Sequence, residues 1–221
     1  MHQTLTLRSA IAGALLLVAA SAQAALTAYN TPASFAAATT ASGTDTFSDL
    51  IDNGSVGVML DRNAGSYSYR VSAPSGLWAS GPADNPFMSS SNTNDAITVA
   101  PLGSMANGIA GNFFFSDIAG NFAAGPLAVT VQDSTGASLT LTVNPSGYSS
   151  GSFMGFVSSG YITSLSVSAP AGQPNTTAWS SLDNLTLAAA APVPEPGTWA
   201  LMGLGLGLAG LGLVRRRRTQ G

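Results

Sequence analysis

Leu127-Ala128-Val129-Thr130-Val131-Gln132-Asp133-Ser134-Thr135-Gly136-Ala137-Ser138-Leu139-Thr140-Leu141-Thr142-Val143 reads as two strands joined by a turn. Leu127, Val129 and Val131 alternate with Ala128, Thr130 and Gln132; Leu139, Leu141 and Val143 alternate with Thr140 and Thr142. Successive side chains on a strand point to opposite faces, so each strand offers one face to a core and one to water. Asp133 to Ala137 supplies the small polar residues of a hairpin turn, which makes the pair antiparallel.

Outward from this hairpin, short runs of the same kind recur between Gly, Pro, Asn and Asp. They predict strands near Asp45–Leu50, Val56–Leu60, Ser66–Ser72, Ala96–Val99, Ile109–Phe115, Phe153–Val157, Ile162–Ser168 and Leu182–Leu187. Phe113-Phe114-Phe115 has no wet face and predicts a central strand covered on both sides. Thr31 before Pro32 reads as the N-cap and first residue of a short helix carrying Phe35. Leu77 to Asn94, with Pro82, Pro86 and a serine-asparagine run, is expected to be a long surface loop. The fold class is therefore all-β: an antiparallel, jelly-roll-like β-sandwich of two packed sheets.

Both ends of the chain differ in chemistry from this middle. Arg8, the apolar run Ala10–Ala20 and Ala22-Gln23-Ala24 form a signal peptide over residues 1–24, with cleavage after Ala24. At the other end, Pro192, Pro194 and Pro196 stiffen a stalk over residues 191–197. Thr198 to Val214 is seventeen residues without a charge, rich in Gly and Leu, and predicts a single transmembrane helix. The basic tail, residues 215–221, opens with Arg215, Arg216, Arg217 and Arg218, a stop signal that stays cytoplasmic and leaves residues 25–190 outside as an ectodomain. Competing readings are a second anchor at the N-terminus and an ordinary stalked anchor at the C-terminus.

Val193-Pro194-Glu195-Pro196, the glycine-rich span and the terminal arginines together resemble the PEP-CTERM sorting signal of Gram-negative bacteria. The resemblance covers about the last thirty residues. It implies handling by exosortase, a membrane protease-transpeptidase acting near the motif, after export by the Sec machinery and signal peptidase. The route it implies runs from the inner membrane, facing the periplasm, to the cell surface or extracellular matrix, often with exopolysaccharide or biofilm. Phe47-Ser48-Asp49, Gly111-Asn112-Phe113, Gly155-Phe156-Val157 and Leu182-Asp183-Asn184-Leu185 are similar to motifs of the β-sandwich ectodomains found on such substrates.

Inventory limits the chemistry. Between Ala25 and Ala191 there are nine Asp, no Glu and only Arg62 and Arg70, a formal charge of −7, which argues against nucleic acid as a partner. The sole histidine, His2, leaves with the signal peptide, and the chain has no Cys or Lys. Ser-His-Asp, Cys-His and Ser-Lys nucleophiles and the usual zinc sites are thereby excluded from the mature domain. Asp133-Ser134-Thr135-Gly136 is faintly similar to the D-[ST]-G loop of aspartic proteases, but it has no second copy and sits where a turn is expected.

The remaining candidates are ligand sites. Asp45, Asp49, Asp52 and Asp183 could converge on a calcium ion if the first and last strands lie together, with solvated turn aspartates as the competing reading. Trp78 and Trp179, amid polar turn residues, are possible sugar platforms, as are Tyr67, Tyr69, Phe87 and Tyr148, against the competing reading of core aromatics. The expected function is a non-enzymatic surface or matrix protein with no cofactor beyond a possible calcium. A carbohydrate-binding module for envelope polysaccharide is the alternative, and a carboxylate glycosidase the third reading.

Overall fold

A computed structural model describes residues 26–50, 54–103, 105–173, 177–192 and Gly203. The signal peptide with Ala22 and Ala24, Asp52, the sorting residues Val193–Pro196, all of the span 198–214 but Gly203, and Arg215–Arg218 lie outside the described residues. Among the described residues no helix is long and apolar enough to cross a membrane. The compact unit Ala24–Ala191 is the one described below.

Thirteen strands form one antiparallel ladder. In chain order they are β1 (Leu26–Tyr29), β2 (Thr39–Asp45), β3 (Gly54–Ala64), β4 (Tyr67–Ser80), β5 (Phe87–Ser90), β6 (Ile97–Leu102) and β7 (Gly108–Ser116). β8 (Phe122–Ala123), β9 (Leu127–Asp133), β10 (Ser138–Val143), β11 (Phe153–Ser158), β12 (Ile162–Ser168) and β13 (Trp179–Ala190) follow. Hydrogen-bonded neighbours run β1-β11-β7-β13-β5-β4-β6-β12-β9-β10, with β2 added to β13, β3 to β4 and β8 to β7. The all-β antiparallel expectation holds. The sandwich expectation holds as a near-barrel, with its two layers joined in one unbroken ladder because β5 bridges β13 on one side and β4 on the other.

The sheet curls onto itself: β7 and β13, remote from β9 and β12 along the ladder, pack against them across the interior. Ile109, Phe113, Phe115, Leu182, Leu185 and Leu187 from one side meet Val71, Val99, Val129, Val131, Leu165 and Val167 from the other in a single buried cluster. The hairpin supplies its share as its alternation predicts, with Leu139 opposite Val131 and Leu141 opposite Val129. β7 is buried at every position, as expected for a strand covered on both faces. Its outer cover comes partly from a short helix, α1 (Pro32–Ala37), capped at Thr31, whose hydroxyl accepts from the Ser34 amide at 3.1 Å. Phe35 of α1 rests on Ala110 and Ala188, over the backbone of Gly155, where a Cβ would stand 2.5 Å from the ring.

Two expectations fail locally. Asp45–Leu50 is a turn at the end of β2, not a strand; Phe47 adopts φ +56° there, with its amide bonded to Asp45 Oδ1 at 3.0 Å. Leu77–Asn94 is not one long loop, since it contains the end of β4 and all of β5. Pro82 and Pro86 occupy the connection between them, so they break the strand without abolishing the pairing on either side.

Candidate functional site

On β4, β5 and β13 directly opposed residues share a face. The register sets Trp78 opposite Ser89, Ser89 opposite Ser181, and Trp179 opposite Ser116. Residues two apart along each strand join the same face, which brings in Ser80 and Ser91. The opposite face carries Leu77, Met88 and Leu182, all in the core. Outward, then, this part of the sheet is bordered by the two indoles, with Ser80 and Ser91 accessible and Ser89 and Ser181 buried, and it lines a cleft of about 230 Å³ with Asp117 and Ile118. Trp78 is 37% exposed and Trp179 half-buried.

The hydroxyls are anchored beneath the cleft. Ser116 and Ser181 share a hydrogen bond at 2.9 Å, and Ser181 Oγ also reaches the Trp179 carbonyl oxygen at 3.1 Å. Ser89 donates to the Ser90 carbonyl at 3.0 Å, and Ser90 to that of Asn92 at 2.9 Å.

The loop 117–121 forms one wall. Asp117 Oδ1 accepts from the amides of Ala119 and Asn121 at 2.9 and 2.8 Å, and its Oδ2 from the Asn121 side chain at 3.1 Å. These bonds, the Asn121 amide first, hold the Asp117 carboxyl below its ordinary range. Gly120 has φ +78°, and a Cβ there would stand 2.9 Å from the Gly81 amide nitrogen and from Ser80 Oγ, so only glycine lets the loop lie this close to β4. The Tyr148 hydroxyl donates to the Gly120 carbonyl at 3.0 Å from the other side. The wall is thus fixed, and it leaves Ile118 at its crest, 84% exposed.

The other proposed platforms do different work. Tyr69 and Phe87 are core residues, Tyr67 packs against the core, and Tyr148 lies on Phe87, Phe114 and Phe122.

The aspartates named for calcium are engaged elsewhere. Asp45 accepts from Arg62 Nε and Nη2 at 2.6 and 2.8 Å, from the Tyr69 hydroxyl at 2.7 Å and from the Phe47 amide at 3.0 Å. Asp49 accepts from the same guanidinium at 2.6 and 3.3 Å, and Arg62 lies 5.0 Å over the Phe47 ring. Burial alone would raise the Asp45 carboxyl; the bonds from Arg62, Tyr69 and Phe47 outweigh it and hold the group below its ordinary value. The positive charge a cation would bring is already supplied by Arg62.

β2 does lie beside β13, with Asp45 opposite Leu185, although the first strand, β1, pairs with β11 instead of β13. Asp183, however, is buried at a β-bulge where β5 stops and β2 takes over as the neighbour of β13. It accepts from the Asn184 amide at 2.7 Å and the Asn184 side chain at 3.0 Å, while Asn184 itself has φ +51°. Burial pushes its pKa up to about 6, against partial opposition from Asn184 and Asn85, with the Asp45 charge adding to the rise. Among the described residues no group of three or more His, Cys, Asp or Glu could hold a metal ion. Asp133 caps its own turn, accepting from the Thr135 amide at 2.9 Å, the Thr135 hydroxyl at 2.6 Å and the Ala137 amide at 3.0 Å, as the turn reading expects.

The domain is thus an antiparallel β-fold with one wall-bounded, tryptophan-flanked cleft and a separate internal ion-pair group. Residues 192–218 match the family model of the PEP-CTERM protein-sorting motif, so the chain carries that motif, and with it a signal for export and membrane-anchored processing by exosortase. No curated protein matches the chain in sequence. Among solved structures, the tandem of carbohydrate-binding modules CBM22-1 and CBM22-2 from Paenibacillus barcinonensis Xyn10C is 14% identical at a TM-score of 0.34, over 70% of this chain and 46% of that one. The chain therefore spans less than half of the tandem. The CBM22-1 xylan-binding domain of the same protein is 16% identical at a TM-score of 0.32, over 68% of this chain and 94% of that one. Likenesses this slight establish no ligand.

Proposed function

We propose that this is an exported, non-enzymatic protein whose folded domain is delivered by its tail. The single observation that carries the reading is the PEP-CTERM match over residues 192–218. In this scheme signal peptidase cuts after Ala24 during Sec export, and the span 198–214 parks the domain on the periplasmic side of the inner membrane. Arg215–Arg218 stop transfer, and exosortase acts near Glu195. Surface or matrix display follows, in company with extracellular polysaccharide.

Absence of catalysis is supported by how the carboxylates are used. Carboxylate glycosidases hold two acids about 5 to 9.5 Å apart across the scissile bond. The cleft is lined by one, Asp117, and its oxygens are taken by its own loop. Asp45 and Asp49 serve Arg62, and Asp61 serves Arg70. The same use of Asp45 and Asp49 supports a domain that needs no calcium.

The test is Glu195→Ala in a strain that carries an exosortase, followed by mature size and surface release. Loss of processing with retention in the inner membrane is expected. Wild-type processing of the variant refutes the scheme.

A further inference from the structure

We infer that the cleft between Trp78 and Trp179 binds an uncharged polysaccharide chain, and that Ile118 contributes to its rim. A pyranose ring presents apolar C–H faces and a girdle of hydroxyls. A surface that recognises it needs flat aromatic area beside small donors and acceptors. Here two indoles flank the accessible hydroxyls of Ser80 and Ser91, and an exposed isoleucine crowns a wall that three separate contacts hold in place.

The space decides the mode. At about 230 Å³ the cleft lies below the roughly 300–1,000 Å³ of pockets that engulf a drug-sized ligand. It suits one or two sugar units of a longer chain.

Charge decides the class. Neither Arg62 nor Arg70 lines the cleft, and both are engaged by aspartates. With no Lys in the chain, an acidic sugar finds no counter-charge and meets Asp117 instead. A peptide is disfavoured by the ladder itself. β5, which floors the cleft, is bonded to β4 on one side and β13 on the other, so the cleft offers no open strand edge for main-chain pairing.

This inference is independent of the sorting scheme, and its test uses unprocessed full-length chain. The protein is purified in a polyoxyethylene detergent, which has no sugar headgroup to compete. It is then incubated with insoluble cellulose, xylan, mannan and β-1,3-glucan, and with alginate and polygalacturonate as acidic comparators. Retention on at least one neutral polymer is expected, resistant to high salt and reversed by the matching oligosaccharide. Trp78→Ala and Trp179→Ala should each weaken binding about tenfold or more, as truncation of a tryptophan anchor does. Ile118→Ala, at a position too exposed to disturb folding, should weaken it by a smaller factor, which keeps the test valid if a tryptophan variant misfolds. Retention by no neutral polymer, retention by acidic polymers alone, or undiminished retention of the double tryptophan variant overturns the inference. So does capture of a peptide in the cleft in place of a glycan.

Discussion

Arg62→Ala should be among the most damaging single changes in the domain, and nearly all of its cost should come through one of its two carboxylate partners. Arg62 has 11% of its side chain exposed, Asp45 has 6% and Asp49 has 71%. Removing one member of a buried pair strands the other and costs about 3–5 kcal/mol, whereas an exposed pair contributes about 0–1 kcal/mol. Loss of the guanidinium over Phe47 adds about 0.5–1 kcal/mol. The sum is about 5 kcal/mol, a large part of the roughly 5–15 kcal/mol by which domains are stable. For a domain of this size that corresponds to a fall in Tm of about 15 °C.

Urea unfolding of the unit Ala24–Ala191, followed by circular dichroism, measures the change. Asp49→Ala should cost below about 1 kcal/mol by the same assay. Arg62→Met combined with Asp45→Asn should cost less than Arg62→Ala alone, since no bare charge is left inside. Acid should act in the matching direction. The folded-state pKa of Asp45 is depressed, so its contribution is complete above the ordinary carboxylate value and is lost as pH falls through the depressed one. Equal small losses for Arg62→Ala and Asp49→Ala would refute this account of the site.

Two further outcomes test other parts of the fold. Asp183 titrates in the opposite sense: its folded pKa of about 6 lies above the ordinary 3.8, so it favours folding fully only below pH 3.8 and progressively less up to about 6. The span corresponds to about 3 kcal/mol, so stability should decline over that range, and Asp183→Asn should flatten the decline in a pH series of urea midpoints. Gly155→Ala drives a Cβ into the Phe35 ring, with a cost of about 1–3 kcal/mol in the same assay, and Phe35→Leu in the same chain should recover part of it.

Alternation made β9, β10 and β12 legible residue by residue, because each strand has one wet face and the period of two is visible. Phe113–Phe115 was legible for the opposite reason, a run too apolar for any surface. β5 was hidden: four residues between prolines and serines, buried at all four positions, carry no alternation to read. The turn after β2 was misread as a strand because Phe47 looks like a strand residue, yet it is held at positive φ by a side chain in its own loop and by Arg62 from β3. Pairings of that kind leave no mark in local sequence. At the cleft, Trp78 and Trp179 were nameable one at a time as large aromatics in polar surroundings. That they face one cleft depends on β5 lying between β4 and β13, and Ile118 stood out only once its exposure was known. A run such as Ser89-Ser90-Ser91 next to Phe87-Met88 was the available hint of a strand with a hydroxyl face.

β13 is bonded along one side to β7 and along the other first to β5 and then to β2, and it directly precedes the tail. A chain threaded outward from its N-terminus releases these three partners early, yet they have no shared neighbour until residues 179–190 emerge. Closure of the domain therefore waits for the last strand before the tail that carries the sorting motif. Load applied at the C-terminal end of β13 would meet a strand gripped from both flanks in shear, where an edge strand would peel away one bond at a time.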